Sequence, residues 1–334
     1  MSIVERHMAL EFSGLMIGYP SLDLIRDARG TVAEGELIAL AGRNGSGKST
    51  LLRVLAGLDQ PLAGTVYVHG RPLSAFSPHG RARALSFVST GISSPENMTV
   101  FELVSLGRYP HTGWWGNLSE KDRDIVDRSL EAVNMESYTG RLVNRLSDGE
   151  RQRVMIARAL AQNGDLILLD EPTAFLDLPA RFEVIHLLYQ LSRQGKSIIY
   201  STHDIEAAWT YSDKLWLIHG NRLHEGSPED LGLSGLYNDL FRSTPVKLDT
   251  RTMRFRSERK VTGEIGLTGE DRELLRWTKV ALNRAGFNTV SDVETGTVAE
   301  CRKTVEGNQW LLKEDEEVTT FPSLYELICF LTRV

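Results

Sequence analysis

The 334 residues carry 38 basic and 44 acidic side chains, a formal net charge of −6, with 41% hydrophobic and 25% charged residues. That balance suits a globular chain longer than one typical domain and weighs against a nucleic-acid-binding surface. No apolar run reaches the roughly eighteen residues of a membrane-spanning helix, so a membrane role would pass through a partner.

The charged start Met1-Ser2-Ile3-Val4-Glu5-Arg6-His7 contains no apolar signal core. Cys301 and Cys329 lack metal-ligand spacing and read as reduced thiols of a cytosolic protein. The first forty residues read as short strands: 9–12 and 15–19 as one pair, then 23–28, then 32–41. Tyr19 precedes Pro20 at a strand end, where its ring either stacks on an adenine face or packs in the core.

The apolar run 37–41 leads into Gly42-Arg43-Asn44-Gly45-Ser46-Gly47-Lys48-Ser49, then Thr50 and the helical pattern of Leu51, Leu52, Val54 and Leu55. G-x-x-x-x-G-K-S between a strand and a helix is the phosphate-loop pattern. Its glycines let the backbone wrap until consecutive N–H groups point at phosphate oxygens, and the helix N-terminus adds partial positive charge. Lys48 is placed to reach the β- and γ-phosphates of a nucleotide, and the Ser49 hydroxyl suits Mg²⁺.

A β-branched strand and turn follow over residues 65–73. From about Ser93 the pattern turns helical, with one helix beginning over 99–104 and another running from N-cap Ser119, with Asp122 in its first turn, to Asn134. Between them Gly107-Arg108-Tyr109-Pro110-His111-Thr112-Gly113-Trp114-Trp115-Gly116 is either a partner-facing loop or a local core patch. Leu146-Ser147-Asp148-Gly149-Glu150 precedes a helix over 154–162. There Ser147 and Gly149 suit a second phosphate contact, and equally an ordinary helix cap.

The run 165–169 reads as a buried parallel strand that delivers Asp170 and Glu171 at its C-terminal end. Asp170 suits a Mg²⁺ shell and Glu171 suits polarising a water. Asp177 lies in a loop before an amphipathic helix over 179–193. The strand 197–202 ends at His203, a position from which a histidine can sense a γ-phosphate or serve structurally. Residues 214–218 and a hairpin around 219–222 close this half.

In this order the motifs resemble the ATP-binding-cassette (ABC) transporter ATPases over about residues 9–243. The resemblance implies an α/β fold: a phosphate-loop core on a parallel sheet, an antiparallel β subdomain and a helical subdomain at about 93–162. It assigns the phosphate loop to 42–49, the magnesium aspartate to Asp170, the catalytic base to Glu171, the switch histidine to His203 and the cross-dimer loop to the segment holding Asp177. The signature, usually Leu-Ser-Gly-Gly-Gln, stands as residues 146–150 with Ser147, Gly149 and Glu150 as nucleotide contacts, and Tyr19 becomes the adenine-stacking aromatic. The family's glutamine after the strand 85–89 is replaced by Thr90, a shorter side chain that would need a bridging water to serve Mg²⁺.

Glu96-Asn97-Met98-Thr99-Val100 and residues 107–112 are similar to importers of iron–siderophore, haem and cobalamin ligands. The resemblance implies a head-to-tail homodimer closed by ATP and opened by hydrolysis. It would lie peripherally on the cytoplasmic face of the cell membrane, beneath two permease subunits fed by an external substrate-binding protein. A soluble cassette ATPase and a nucleotide-dependent regulator with weak turnover are the other classes. The first usually has two cassettes or a coiled-coil insert, and Glu171 and His203 weigh against the second.

From Thr244 the composition changes. Residues 244–260 read as a linker with an edge strand, and 261–334 as a small α+β domain, regulatory or purely a packing extension. Its expected elements are strands over 263–267, 287–290, 297–304 and 309–313 and helices over 270–285 and 323–332, with the acidic run 314–317 as a solvated turn.

Overall fold

A computed structural model describes residues 7–19, 22–90, 97–112, 117–249, 254–257, 260–290, 296–305, 307–315 and 317–332. Pro20, Glu96 and the stretch 113–116 with Trp114 and Trp115 lie outside them. The chain divides into two compact units, residues 1–241 with 250–254, and residues 242–249 with 255–334.

In the first unit β1 (Met8–Tyr19) pairs antiparallel with β2 (Leu22–Ala33), and β3 (Leu37–Gly42) leads into α1 (Lys48–Leu55). With β4 (Ala63–Val68) and β5 (Arg71–Pro72) the first strands form a sheet of order β2-β1-β4-β5. The chain continues through α2 (Pro78–Ala84), β6 (Leu85–Val88), α3 (Val100–Ser105), α4 (Glu120–Glu131), α5 (Asp148–Ala161) and β7 (Leu166–Leu169). Then come α6 (Leu178–Arg193), β8 (Ser197–Thr202), α7 (Ile205–Tyr211), β9 (Lys214–His219), β10 (Arg222–Gly226), α8 (Pro228–Leu233) and α9 (Leu236–Leu240). The second sheet has the order β10-β9-β3-β8-β7-β6 and is parallel except for the hairpin strand β10.

Every residue of β3, β7 and β8 is buried, as expected of parallel strands covered on both faces. The two sheets share a core in which the Phe12 ring meets Trp216 edge-on at 5.2 Å. Residues 9–12 and 15–19 are one strand, not a pair: Gly14 at φ +62° and a register shift between Phe12 and Leu15 bulge β1 without ending it. The expected strand 32–41 is broken because the Glu36 carboxylate accepts the Ala33 N–H at 2.8 Å and turns the chain.

The helix expected over 154–162 starts six residues earlier. Ser147 caps it, accepting from the Glu150 N–H, while the Glu150 carboxylate accepts the Ser147 N–H at 2.8 Å. Likewise Asp177 caps α6 by accepting from the Ala180 N–H at 3.0 Å.

In the second unit β11 (Val246–Asp249) and β12 (Arg254–Ser257) form a two-stranded ribbon, so the expected linker holds a paired strand on each side of residues 250–253. Next come β13 (Gly263–Gly269), α10 (Arg272–Arg284), β14 (Phe287–Val290), β15 (Thr297–Thr304), β16 (Gly307–Glu314), β17 (Glu317–Phe321) and α11 (Leu324–Thr332). The sheet order is β14-β13-β15-β16-β17. Leu274, Leu282 and Leu327 of the helices pack with Ile265, Ala299, Trp310 and Leu312 of the sheet. Sequence reading missed β17; Glu314 pairs with Glu317, so the acidic run is the end of a hairpin, with Asp315 at φ +51°.

A buried ion pair anchors the helical segment of the first unit. Arg108 donates to Asp122 at 2.9 Å and to the Ala161 carbonyl at 2.7 Å, at the C-terminal end of α5. The Ser119 hydroxyl first, and Arg108 after it, hold the Asp122 carboxyl below its usual range. Arg108→Met leaves that carboxylate buried without its cation and should lower stability by about 3 kcal/mol in urea unfolding. Because the folded value is depressed, the stabilisation is complete above the ordinary carboxylate range and disappears as pH falls through the depressed value. The acid limb of the stability profile should therefore be shallower in Arg108→Met than in the parent chain.

Candidate functional site

Four strand ends on one edge of the parallel sheet supply the site. β3 delivers the loop 42–49, β6 delivers Thr90, β7 delivers Asp170 and Glu171, and β8 delivers His203. Parallel register makes this convergence automatic, because the carboxyl ends of all four strands lie together.

The loop is shaped by its glycines. Gly45 and Gly47 take φ +75° and +100°, where a side chain is strained, and a Cβ on Gly47 would press on Leu24 at 3.1 Å. Lys48 opens α1, is only 5% exposed, and donates to the carbonyls of Gly42 at 3.1 Å and Arg43 at 3.3 Å. Burial pushes its ammonium below the ordinary lysine value, against the opposing pull of Glu171 and then Asp170. The buried hydroxyl of Ser46 has no hydrogen-bond partner among the described residues, which marks it as poised for an incoming acceptor or donor.

Asp170 Oδ1 accepts from Ser49 at 3.0 Å and from Ser201 at 2.7 Å. Glu171 sits at φ +48°, and its N–H donates to Ser201 Oγ at 2.8 Å. The His203 ring touches both sides of the cleft. Lys48 Nζ donates to its Nδ1 at 3.4 Å and its Nε2 meets Glu171 Oε1, a pattern that places the ring proton on Nε2. Thr90 donates to the main-chain carbonyl of Asp170 at 2.6 Å, so its contact is with the peptide and not with the Asp170 carboxylate.

A cavity of about 510 Å³ joins these groups, lined by Asn44, Gly45, Gly47, Lys48, Ser49, Thr50, Glu171 and His203, with Tyr19 at its rim, 57% exposed. The exposed ring of Tyr19 thus faces the cleft and is not a core aromatic. Ser147, Gly149, Glu150 and Asp177 line a second cavity of about 510 Å³ that shares no lining residue with the first. Within one chain, therefore, the signature and cross-dimer segments do not meet the phosphate loop. Ser147's N–H, ahead of other contacts, holds the Glu150 carboxyl below its usual range.

Two residues escaped sequence reading. Ser201 bridges Asp170 and Glu171, and nothing in the strand Ser197-Ile198-Ile199-Tyr200-Ser201-Thr202 distinguishes it. Phe175, 87% exposed at φ +64°, lines the second cavity; an apolar residue in a Thr-Ala-Phe-Leu-Asp loop was the available signal.

Residues 25–174 match the family described as ABC transporter, and residues 262–332 match the family described as iron ABC transporter C-terminal domain. The petrobactin import ATP-binding protein FpuD of Bacillus anthracis is 37% identical over 236 residues, covering 70% of this chain and 86% of that protein. The iron(3+)-hydroxamate import ATP-binding protein FhuC of Bacillus subtilis is 35% identical over 247 residues, covering 73% and 92%. A bacterial ABC transporter cassette solved as a dimer superposes with a TM-score of 0.58 at 27% identity, covering 66% of this chain and 98% of that one. With likeness of this extent added to the convergent strand ends, the chain belongs to the ATP-binding, ATP-hydrolysing subunits of the ABC transporter family.

Proposed function

We propose that the protein powers import of an iron–siderophore-type chelate, working as a homodimer beneath two membrane permease subunits that receive cargo from an external binding protein. It would sit at the cytoplasmic face of the membrane; among the described residues no helix is long and apolar enough to cross one. The cargo class is supported by the iron-type C-terminal match and by relatives that import petrobactin and ferric hydroxamate. The observation that carries the enzymatic reading is the Lys48–His203–Glu171 chain of contacts at the mouth of a glycine-built phosphate cradle.

The protein's own oxygen donors fit Mg²⁺. Ser49 and Asp170 converge at 3.0 Å, and among the described residues no group of three or more His, Cys, Asp or Glu is arranged to hold a metal ion by itself. A pair of hard oxygens suits an ion that keeps waters and takes substrate phosphates as its other ligands. When bound there, Mg²⁺ would neutralise charge on the β- and γ-phosphates.

The loop N–H groups, Ser46 and Lys48 would then grip the phosphates, with Tyr19 against the base. Glu171 accepts a proton as a water oxygen bonds to the γ-phosphorus and the bond to the bridging oxygen of ADP breaks. His203, leaving Glu171, donates its Nε2 proton in a hydrogen bond to the γ-phosphate. The second half of each site would come from the partner's cavity lined by Ser147, Gly149 and Asp177. In this reading the two separate cavities of one chain would each take one half of a nucleotide.

Glu171→Gln should lower ATP turnover by at least about a hundredfold while keeping ATP binding, and should run as a dimer in ATP and Mg²⁺ by size-exclusion chromatography. Undiminished hydrolysis by that variant would sink the assignment. Lys48→Ala and Ser147→Glu should each be inactive alone. Mixed, they should recover part of the activity, because the mixed dimer holds one site with both halves intact. In cells, uptake of a radiolabelled ferric siderophore should stop when Glu171→Gln replaces the wild-type copy, whereas uptake that persists would remove the cargo assignment.

A further inference from the structure

Thr90 stands where the resemblance expects a glutamine, and its hydroxyl holds a different object. β6 and β7 pair in parallel as far as Val88 and Leu169, and the N–H of Asp170 still reaches the Val88 carbonyl at 2.8 Å. One step on, the carbonyl of Asp170 is taken by the Thr90 hydroxyl at 2.6 Å. A carbonyl cannot donate, so the direction of this bond is fixed. At the other end of the same peptide the Glu171 N–H is held by Ser201 Oγ at 2.8 Å, and Ser201 spends its own proton on Asp170 Oδ1 at 2.7 Å. One peptide plane is thus pinned from both sides, by hydroxyls at the ends of β6 and β8.

The orientation of that plane decides where the Glu171 side chain points. Glu171 lies at φ +48°, in the left-handed region that a long side chain does not favour. The angle φ relates this plane to the next one, whose Glu171 carbonyl accepts the Ala174 N–H at 3.0 Å, so with that side held, holding the Asp170–Glu171 plane holds the strained value. In this conformation the carboxylate reaches the His203 ring. Released, the turn can relax toward right-handed or extended backbone, and the carboxylate swings away from the cleft.

We propose that Thr90 is a positioning residue for Glu171. Its hydroxyl fixes the Asp170–Glu171 peptide and so aims the proton-accepting carboxylate. The inference rests on Glu171 being the proton acceptor, and it assigns the threonine a role of its own where the sequence suggested only a weakened metal contact. Ser201 cannot supply the same restraint alone, since one bond at the N–H end leaves the carbonyl end free to rotate.

The test uses the full chain with Thr90→Val, which keeps the shape and removes the hydroxyl, and Thr90→Ser, which keeps it. Thr90→Val should lower kcat about tenfold with KM for ATP within about twofold and an unchanged melting temperature, and Thr90→Ser should stay within about twofold of the parent. A loss confined to KM, a Thr90→Val protein with parental kcat, or a Thr90→Ser protein as poor as Thr90→Val overturns the proposal. The ring resonances of His203, assigned by comparison with His203→Ala, give a readout independent of turnover. They should shift in Thr90→Val in the direction seen for Glu171→Gln and stay in place in Thr90→Ser; no shift in Thr90→Val counts against it. If Glu171→Gln itself hydrolyses ATP at the parental rate, the reading of Glu171 fails first and the inference falls with it. If Glu171→Gln is inactive while Thr90→Val is not, only the role of Thr90 is refuted.

Discussion

Ser201 Oγ stands between the Asp170 carboxylate, to which it donates at 2.7 Å, and the Glu171 N–H, from which it accepts at 2.8 Å. This arrangement requires the ends of β7 and β8 to be level, and they are level because the two strands run parallel in register from Leu166 opposite Ser197 to Leu169 opposite Tyr200. A slip of one residue would turn Ser201 to the opposite face of the sheet and leave Asp170 without it. The same register carries β3 alongside β8, which sets Lys48 within reach of His203. The candidate site at this edge is therefore a property of the sheet first and of individual side chains second.

Burial gives that edge its electrostatic character. Asp170 and Glu171 lie next to a lysine that is almost wholly withdrawn from water, and withdrawal lowers the ammonium's pKa more than the two acids raise it. Two carbonyls, of Gly42 and Arg43, accept hydrogen bonds from it in this conformation. Dipoles already oriented act strongly on a developing phosphoryl charge, because little reorganisation remains to be done. The cradle's geometry uses glycines whose φ values a side chain would strain, so the loop's shape depends on residue identity at those positions.

The phosphate loop, the two carboxylates and His203 were legible because each is a local pattern attached to an apolar run of parallel-strand type. The spans of β1 and α5 were less so. In β1, Gly14 looks like a break, yet a bulge absorbs its left-handed turn while pairing to β2 and β4 continues. In α5 the apolar pattern begins at Val154, but the helix is set by the reciprocal bonds of Ser147 and Glu150, which no hydrophobic count sees. β17 was hidden because four of its five residues are exposed and its first is acidic; pairing to β16, not burial, defines it. Ser201 and the Thr90–Asp170 bond were invisible for a deeper reason, since both join strands far apart in the chain and neither changes the local sequence pattern.

The acidic signature shows how context can reverse a first impression. Asp148 and Glu150 place two negative charges in the first turn of α5, the end that would face a polyanion in a closed dimer. Both charges are already engaged. Asp148 pairs with Arg151 at 2.9 Å, and Glu150 takes the Ser147 N–H while lying 3.8 Å from Arg141. Acids in that turn also stabilise the helix against its own dipole. The first N–H groups of a helix lack partners within it, and the capping box engages those of Ser147 and Glu150. Among the described residues the N–H groups of Asp148 and Gly149 have no hydrogen-bond partner, and a Cβ on Gly149 would make only an ordinary contact with Ala180, at 3.4 Å. A backbone contact does not depend on the charge of the neighbouring side chains once those are paired. Two carboxylates where the resemblance expects glycine and glutamine are thus compatible with the nucleotide contact proposed for this turn.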